Sequence, residues 1–129
     1  MVLGLGMDVV DIARIERILT GPPGRAERFL ERCFTPAERA YCDGARDRAT
    51  RYAARFAAKE AASKALGAPA GIRFLDVEVV RGDGAPALVL AGVAANAAAR
   101  LGVRRALVTL THDGGVAAAT VVLDGEEAR

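Results

Sequence analysis

Residues 55–67 combine charged side chains with an alanine-rich helical pattern, and one carboxylate falls on the apolar side of that pattern. At about 100° per residue, the apolar residues before it form a stripe, and Glu60 lies in the continuation of that stripe. The stripe consists of Ala49, Ala53 and Phe56. An ionised carboxylate on the packed side of a helix is destabilising unless a cation, a metal ion or several hydrogen bonds compensate it. The sequence therefore predicts a partner for Glu60.

A second carboxylate, Asp8, stands near the end of the first predicted strand, and Lys64 follows Glu60 by one helical turn. Two carboxylates suit Mg²⁺, which takes one or two protein carboxylates and completes its shell with water and phosphate oxygens. Lys64 would then contact a diphosphate held at the metal and neutralise its charge. Together these three residues predict a site for a metal ion and a phosphate substrate.

Each candidate residue also has a structural interpretation. Asp8 can cap a helix, and Glu60 with Lys64 can form an ordinary i,i+4 pair on a wet surface, worth roughly 0.3 to 0.5 kcal/mol. The sole histidine, His112, stands at a strand end beside a glycine turn, where a structural role is commoner than catalysis. The position of Glu60 within the apolar stripe favours the metal site over the surface pair.

Four arginines fall on two short predicted helices. They are Arg14, Arg17, Arg25 and Arg28. A solvated face is the default role for such arginines, whereas an acidic partner would be attracted by their charge. Their spacing does not distinguish these two roles.

Two familiar motifs are excluded. Gly4-Leu5-Gly6 follows the start of a strand, but Val9 stands where a dinucleotide-binding loop needs its third glycine, and no acid follows at the expected distance. Cys33 and Cys42 are nine positions apart and fit no zinc spacing. We therefore expect no dinucleotide loop and two buried free thiols.

Bulk properties limit the classes of function. A chain of 129 residues is the size of one domain, and we expect a single domain over residues 1–129. A net charge of +2 and 5% aromatic residues give little support for nucleic-acid binding. No basic residue precedes the apolar run at residues 2–7, and no apolar run approaches the roughly 18 residues of a membrane span. We expect no signal peptide, no membrane partner and a cytoplasmic location.

The first half of the chain must position the candidate carboxylates. Residues 2–10 alternate as a strand, with Gly4, Gly6 and Asp8 on one face, so another element should approach that face closely. Asp11 can cap the following short helix, and Thr35 with Glu38 forms a capping-box pattern at the start of another. We predict further helices over about residues 25–32 and 45–66, of which the last is the long central helix.

The second half alternates strands with one helix. We predict strands at residues 74–80, 87–90, 106–111 and 116–123, a turn at residues 82–84, and a helix at residues 93–101. The expected fold is α+β: one domain with a small, mostly antiparallel sheet packed against the long central helix and several shorter helices.

Three stretches together resemble the holo-acyl-carrier-protein synthases, the small stand-alone 4′-phosphopantetheinyl transferases. They are residues 4–12, residues 55–67 and residues 110–113 with the Ala/Val strand that follows. The pattern Arg-Phe-x-x-Lys-Glu-Ala-x-x-Lys-Ala-Leu-Gly in the second stretch is highly specific. The chain departs from the family at Ala85, where members often have lysine before a proline, and at Thr109 and Thr111, where they often have serine.

The resemblance implies transfer of phosphopantetheine from coenzyme A to a serine of an apo acyl carrier protein, of fatty-acid or polyketide synthesis, with release of adenosine 3′,5′-bisphosphate. It implies that Asp8 and Glu60 ligate Mg²⁺, that Lys64 contacts the diphosphate, and that Arg55, Thr111 and His112 belong to the coenzyme A site. It also implies a homotrimer with active sites between subunits, and it makes the four arginines candidate docking contacts for the acidic carrier protein.

Two other functions remain open. The same metal and lysine could serve a nucleotide pyrophosphohydrolase, in which water replaces the serine as nucleophile. A non-enzymatic protein could use its arginine-bearing helices as a basic binding face. In the transferase mechanism, the base that takes the serine proton is either Glu60 or a metal-bound water, and the sequence does not distinguish them.

Overall fold

A computed structural model describes residues 1–81 and 84–127 of the chain. These residues contain five α-helices, one 3₁₀ helix and five β-strands. The helices are α1 (Ile12–Leu19), α2 (Pro23–Cys33), α3 (Pro36–Asp43), α4 (Arg48–Ala65) and α5 (Gly92–Leu101). The strands are β1 (Val2–Asp11), β2 (Val77–Arg81), β3 (Pro86–Leu90), β4 (Val103–Asp113) and β5 (Val116–Gly125). The predicted α+β fold around one long helix is confirmed.

The strands form two antiparallel sheets. The larger sheet has the order β1-β5-β4, so the first and last strands of the chain are neighbours, and β1 and β4 are its two edges. The smaller sheet consists of β2 and β3, which correspond to two of the predicted strands. Gly114 and Gly115 join β4 to β5 with φ of 58° and 85°, a conformation that two-residue hairpin turns require and glycine adopts without strain. The turn predicted at residues 82–84 begins outside the described residues.

Helix α4 packs directly on β1, at the glycines of that strand. A Cβ added to Gly6 would lie 1.9 Å from the carbonyl oxygen of Ala61, and one added to Gly4 would lie 2.3 Å from that of Ala65. Both contacts are with helix backbone, so no side chain could move aside. The close approach predicted for this face of the strand is confirmed, and its partner is the central helix.

The opposite face of the larger sheet is apolar and exposed. Leu5, Met7 and Val9 on β1 are 65%, 60% and 53% exposed, and Leu107 on β4 is 45% exposed. The strand register places Leu5 and Leu107 in one row, on either side of Val122. No element within the described ranges covers this face, whereas α4 covers the other.

Local side-chain hydrogen bonds explain the starts of two helices and of one strand. Asp11 accepts a hydrogen bond from the Ala13 amide at the start of α1, and Thr35 with Glu38 forms the predicted capping box at the start of α3. The strand predicted from residue 74 begins only at Val77, because residues 74–76 form a 3₁₀ turn in which Asp76 accepts a hydrogen bond from the Arg73 amide.

Cys33 and Cys42 are buried free thiols, as predicted. Burial raises the pKa of each thiol from 9.0 to about 11. None of the helices in the described ranges is both long and apolar enough to cross a membrane.

Candidate functional site

Lys64 joins the C-terminal end of α4 to Asp8 on β1. Its Nζ donates to Asp8 Oδ1 at 3.0 Å and to the Met7 carbonyl oxygen at 3.0 Å. The Asp8 side chain is 19% exposed and that of Lys64 is 54% exposed, so the contact lies at the rim of the strand–helix interface. Within the described ranges, no ion pair joins Lys64 to Glu60, which argues against the surface-pair interpretation.

Glu60 is half-buried, and the packing of α4 on β1 fixes which part of the strand its helical turn faces. Gly4 faces Ala65 and Gly6 faces Ala61. A step of two residues forward along β1 therefore corresponds to a step of four residues, about one turn, back along α4. Continuing this register by two residues brings Asp8 alongside the turn of α4 that ends at Glu60. Asp8 is thus next to the turn that ends at Glu60, and Lys64, one turn farther along α4, contacts Asp8 directly.

The chemistry of this donor set fits Mg²⁺. Asp8 and Glu60 are both hard oxygen donors, and no hydrogen bond reaches the Glu60 carboxylate from any residue in the described part of the chain. Those residues also contain no group of three or more potential metal ligands. Two carboxylate ligands would match the preference of Mg²⁺ for few protein ligands, with water and phosphate oxygens in its remaining positions.

The most deeply buried charges near the site are different ones. Lys59 Nζ donates to Glu38 Oε1 at 2.8 Å and to the Val77 carbonyl oxygen at 2.6 Å, and both charged side chains are 0% exposed. Burial lowers the pKa of Lys59, and the Glu38 carboxylate acts in the opposite direction. The sequence stripe predicted Glu60 as the inward charge of α4, whereas Lys59 and Arg55 are more deeply buried. Buried alanines lie on most sides of α4, so the buried face of this helix is wider than one stripe.

A second candidate site is a cavity of about 370 Å³ between α4 and the edge strand β4. Arg55, Thr111 and His112 all line it, so the structure brings together the residues that the family resemblance assigns to coenzyme A. Sequence reasoning missed Tyr41, Arg51 and Arg81, which also line the cavity. They come from α3, α4 and β2, and no sequence spacing relates positions on three elements.

The two sites lie on opposite sides of α4. Arg55 and Glu60 are five residues apart, which places their side chains about 140° apart around a helix. Asp8 belongs to one edge strand of the larger sheet and His112 to the other, with β5 between them. One copy of the chain therefore presents the carboxylates and the arginine-lined cavity on different surfaces.

A groove beside Glu60 contains three of the four predicted docking arginines. Arg14, Arg25 and Arg28 line it together with Glu60, and all three arginines are exposed. Phe29, Phe56 and Phe74 supply its apolar part. Arg17 is exposed on the same helix as Arg14 but does not line this groove.

The chain is similar to known proteins over its full length. The sequence model of the 4′-phosphopantetheinyl transferase superfamily matches residues 4–121. A holo-[acyl-carrier-protein] synthase of Anaeromyxobacter sp. strain Fw109-5 is 88% identical over 129 residues, covering 100% of both chains. One from Myxococcus xanthus is 56% identical over 123 residues and covers 95% of each chain.

Solved structures share the fold. The Helicobacter pylori holo-[acyl-carrier-protein] synthase in complex with coenzyme A is 32% identical, with a TM-score of 0.78 over 93% of this chain and 99% of that one. The Bacillus anthracis synthase in complex with CoA (3′,5′-ADP) is 33% identical, with a TM-score of 0.77 over 98% of this chain and 99% of that one.

Proposed function

We infer the activity from one premise: the chain belongs to the 4′-phosphopantetheinyl transferase superfamily. It transfers the 4′-phosphopantetheine arm of coenzyme A to a serine hydroxyl of an apo acyl carrier protein. The serine hydroxyl gives its proton to a base, Glu60 or a water molecule, as its oxygen bonds to the phosphorus next to the pantetheine. The bond from that phosphorus to the bridging oxygen breaks, and adenosine 3′,5′-bisphosphate leaves. The contact of Lys64 with Asp8, one turn from Glu60, is the structural observation that carries this assignment.

Asp8 and Glu60 would hold Mg²⁺, which, when bound, supplies charge neutralisation for the diphosphate. Lys64 adds a second positive charge at the same place, because its ammonium group already lies against Asp8. Stabilising the charge of the leaving bisphosphate requires such fixed cations and little movement of the protein. Asp8 and Lys64 would therefore orient the diphosphate, and Glu60 is one of the two candidate bases for the attacking hydroxyl.

The active site forms between two copies of the chain in a homotrimer. Asp8 and Glu60 would come from one subunit, and the cavity with Arg55, Thr111 and His112 from its neighbour. Their location on opposite sides of α4 supports this arrangement, and the exposed apolar sheet face offers a surface for assembly. The number of three subunits follows from the family resemblance rather than from the residues.

Carrier-protein docking is assigned to the arginines of α1 and α2. Arg14, Arg25 and Arg28 line the groove that contains Glu60, so an acidic carrier protein bound there would bring its serine to that carboxylate. Arg17 lies outside the groove and would add only long-range attraction. A cytoplasmic location is part of the same proposal, supported by two free, buried thiols.

Intact-mass spectrometry tests the reaction. An apo acyl carrier protein incubated with this protein, coenzyme A and Mg²⁺ should gain the mass of one phosphopantetheine arm. Glu60→Gln and Asp8→Asn should each abolish that gain while leaving the thermal unfolding transition in place. Release of adenosine 3′,5′-bisphosphate without any carrier protein would instead identify a hydrolase and refute the transferase.

Mixed subunits test the location of the site. Glu60→Gln and His112→Ala chains should each be inactive, since each removes one half of every site. When the two variants are unfolded together and refolded as a mixture, part of the activity should return, because a site can then combine two intact halves. A mixture as inactive as its components, in assemblies shown by mass to be mixed, would place both halves within one copy.

A further inference from the structure

Arg55 is a buried cation that meets no carboxylate within the described ranges. The residue is 6% exposed, and its Nε has no hydrogen-bond partner there. A buried guanidinium without a counter-charge is destabilising, and an anion bound beside it relieves that penalty. Because Arg55 lines the cavity at β4, an anion entering that cavity would meet it.

Tyr41 contacts Arg55 and two further arginines of the same cavity. The centre of its ring lies 4.2 Å from the Arg55 guanidinium carbon, 5.0 Å from that of Arg51 and 5.6 Å from that of Arg81. Its hydroxyl oxygen accepts hydrogen bonds from Arg51 and, at 2.7 Å, from Arg81. One side chain on α3 thus organises guanidinium groups from α4 and β2.

The charge of this cluster suits a phosphate monoester. Among the described residues that line the cavity, three arginines are opposed by one carboxylate, Asp47, which accepts a hydrogen bond from Arg51 at 3.0 Å. With His112 neutral, these lining residues carry a formal charge of +2. A phosphate monoester carries between one and two negative charges at neutral pH, and guanidinium groups are its preferred protein partners.

We propose that Tyr41 is a positioning residue that holds Arg51, Arg55 and Arg81 as one binding subsite for the 3′-phosphate of coenzyme A. The proposal rests on the proposed function for the identity of the ligand. Like-charged guanidinium groups repel one another and would spread into solvent without a shared acceptor. The Tyr41 hydroxyl supplies that acceptor and its ring covers the buried Arg55, so the subsite is formed before the ligand arrives.

Direct binding measurements test the role of Tyr41 without any transfer. Tyr41→Phe keeps the ring and removes the acceptor. Titration calorimetry should show that the variant binds adenosine 3′,5′-bisphosphate roughly tenfold more weakly than the parent chain, the loss expected when hydrogen bonds to charged groups are disrupted. Its affinity for adenosine 5′-monophosphate, which lacks the 3′-phosphate, should stay unchanged. In transfer assays, KM should rise for coenzyme A and stay constant for dephospho-coenzyme A.

Tyr52→Phe is the matched control. Tyr52 is a buried tyrosine whose hydroxyl donates to Asp43 at 2.9 Å, outside the cavity lining, so its loss should lower stability without changing the ratio between the two nucleotides. Equal weakening of both nucleotides by Tyr41→Phe, or no weakening of either, would overturn the proposal. These binding results stand apart from the mass assay, so failure of the transferase assignment would be recognised separately.

Discussion

Replacing Gly6 by alanine is the most direct test of how the fold positions its carboxylates. The new Cβ would lie 1.9 Å from the Ala61 carbonyl oxygen and 2.8 Å from the Ala65 amide nitrogen, both in the backbone of α4. Real Cβ contacts essentially never fall below 3.0 Å, so the shorter of these distances is more than 1 Å too small. Strand and helix must separate by about that amount, because neither backbone atom can rotate away.

The expected loss of stability follows from that separation. Overpacking a filled core usually costs about 1 to 3 kcal/mol, and here the displaced group is a whole helix that also packs on β5. We therefore expect Gly6→Ala to lower the free energy of unfolding by about 3 kcal/mol, measured by urea denaturation at fixed protein concentration. Transfer activity should fall further than stability alone explains, because Asp8 is two residues away on the same strand.

Gly24→Ala is the matched control. Gly24 lies in the first turn of α2, where the nearest atom to an added Cβ is the flexible Arg28 guanidinium at 3.6 Å. Alanine there should be neutral or stabilise by up to about 1 kcal/mol, since it favours the helix. A free energy of unfolding for Gly6→Ala within about 0.5 kcal/mol of that of the parent chain would refute this reasoning. The close approach of β1 and α4 would then not determine the position of Asp8.

Three further perturbations have defined outcomes. Lys59→Met leaves a buried carboxylate unpaired and should cost about 3 to 5 kcal/mol in chemical denaturation; a cost below about 1 kcal/mol would show that the ion pair contributes little. Since burial raises the pKa of Cys33 and Cys42 to about 11, the folded state keeps protons that the unfolded state loses above about 9. Stability should therefore fall between these pH values by about 2 to 3 kcal/mol per thiol, and replacing both by alanine should remove that part of the pH dependence. Arg14→Glu should weaken carrier-protein binding in a surface-plasmon assay more than Arg17→Glu, with coenzyme A affinity unchanged; equal effects would remove the groove from the docking surface.

The sequence predicts those features of the fold that depend on interactions between residues close together in the chain. The capping box of Thr35 and Glu38 was predictable, because both of its hydrogen bonds lie within four residues. Glu38 is also the buried partner of Lys59. That contact depends on how α3 packs against α4, so the sequence positions of the two residues do not predict it. The glycine face of β1 predicted a close neighbour but did not identify α4 as that neighbour.

The candidate site shows the same limit. The apolar stripe predicted Glu60 as the inward charge of α4. Because α4 is alanine-rich on nearly every side, however, helical periodicity does not distinguish a half-buried residue from a fully buried one. Lys59 lies among the buried Ala57, Ala58, Ala61 and Ala62, and a lysine in such a run is the signal that could have been used. The sequence contains no comparable signal for Tyr41, because the arginines that it contacts lie on other elements.

The pairing of β1 with β5 has a consequence for the order in which the molecule folds. The hydrogen bond from the N-terminal amine to the Gly125 carbonyl oxygen spans 124 positions, and every partner of β1 in the sheet lies at residue 116 or later. During synthesis, the strand that carries Asp8 has no sheet partner until residues from 116 onward have emerged, and closing so long a loop is entropically slow. The helices can form early, but the strand that carries Asp8 takes its place in the sheet only late.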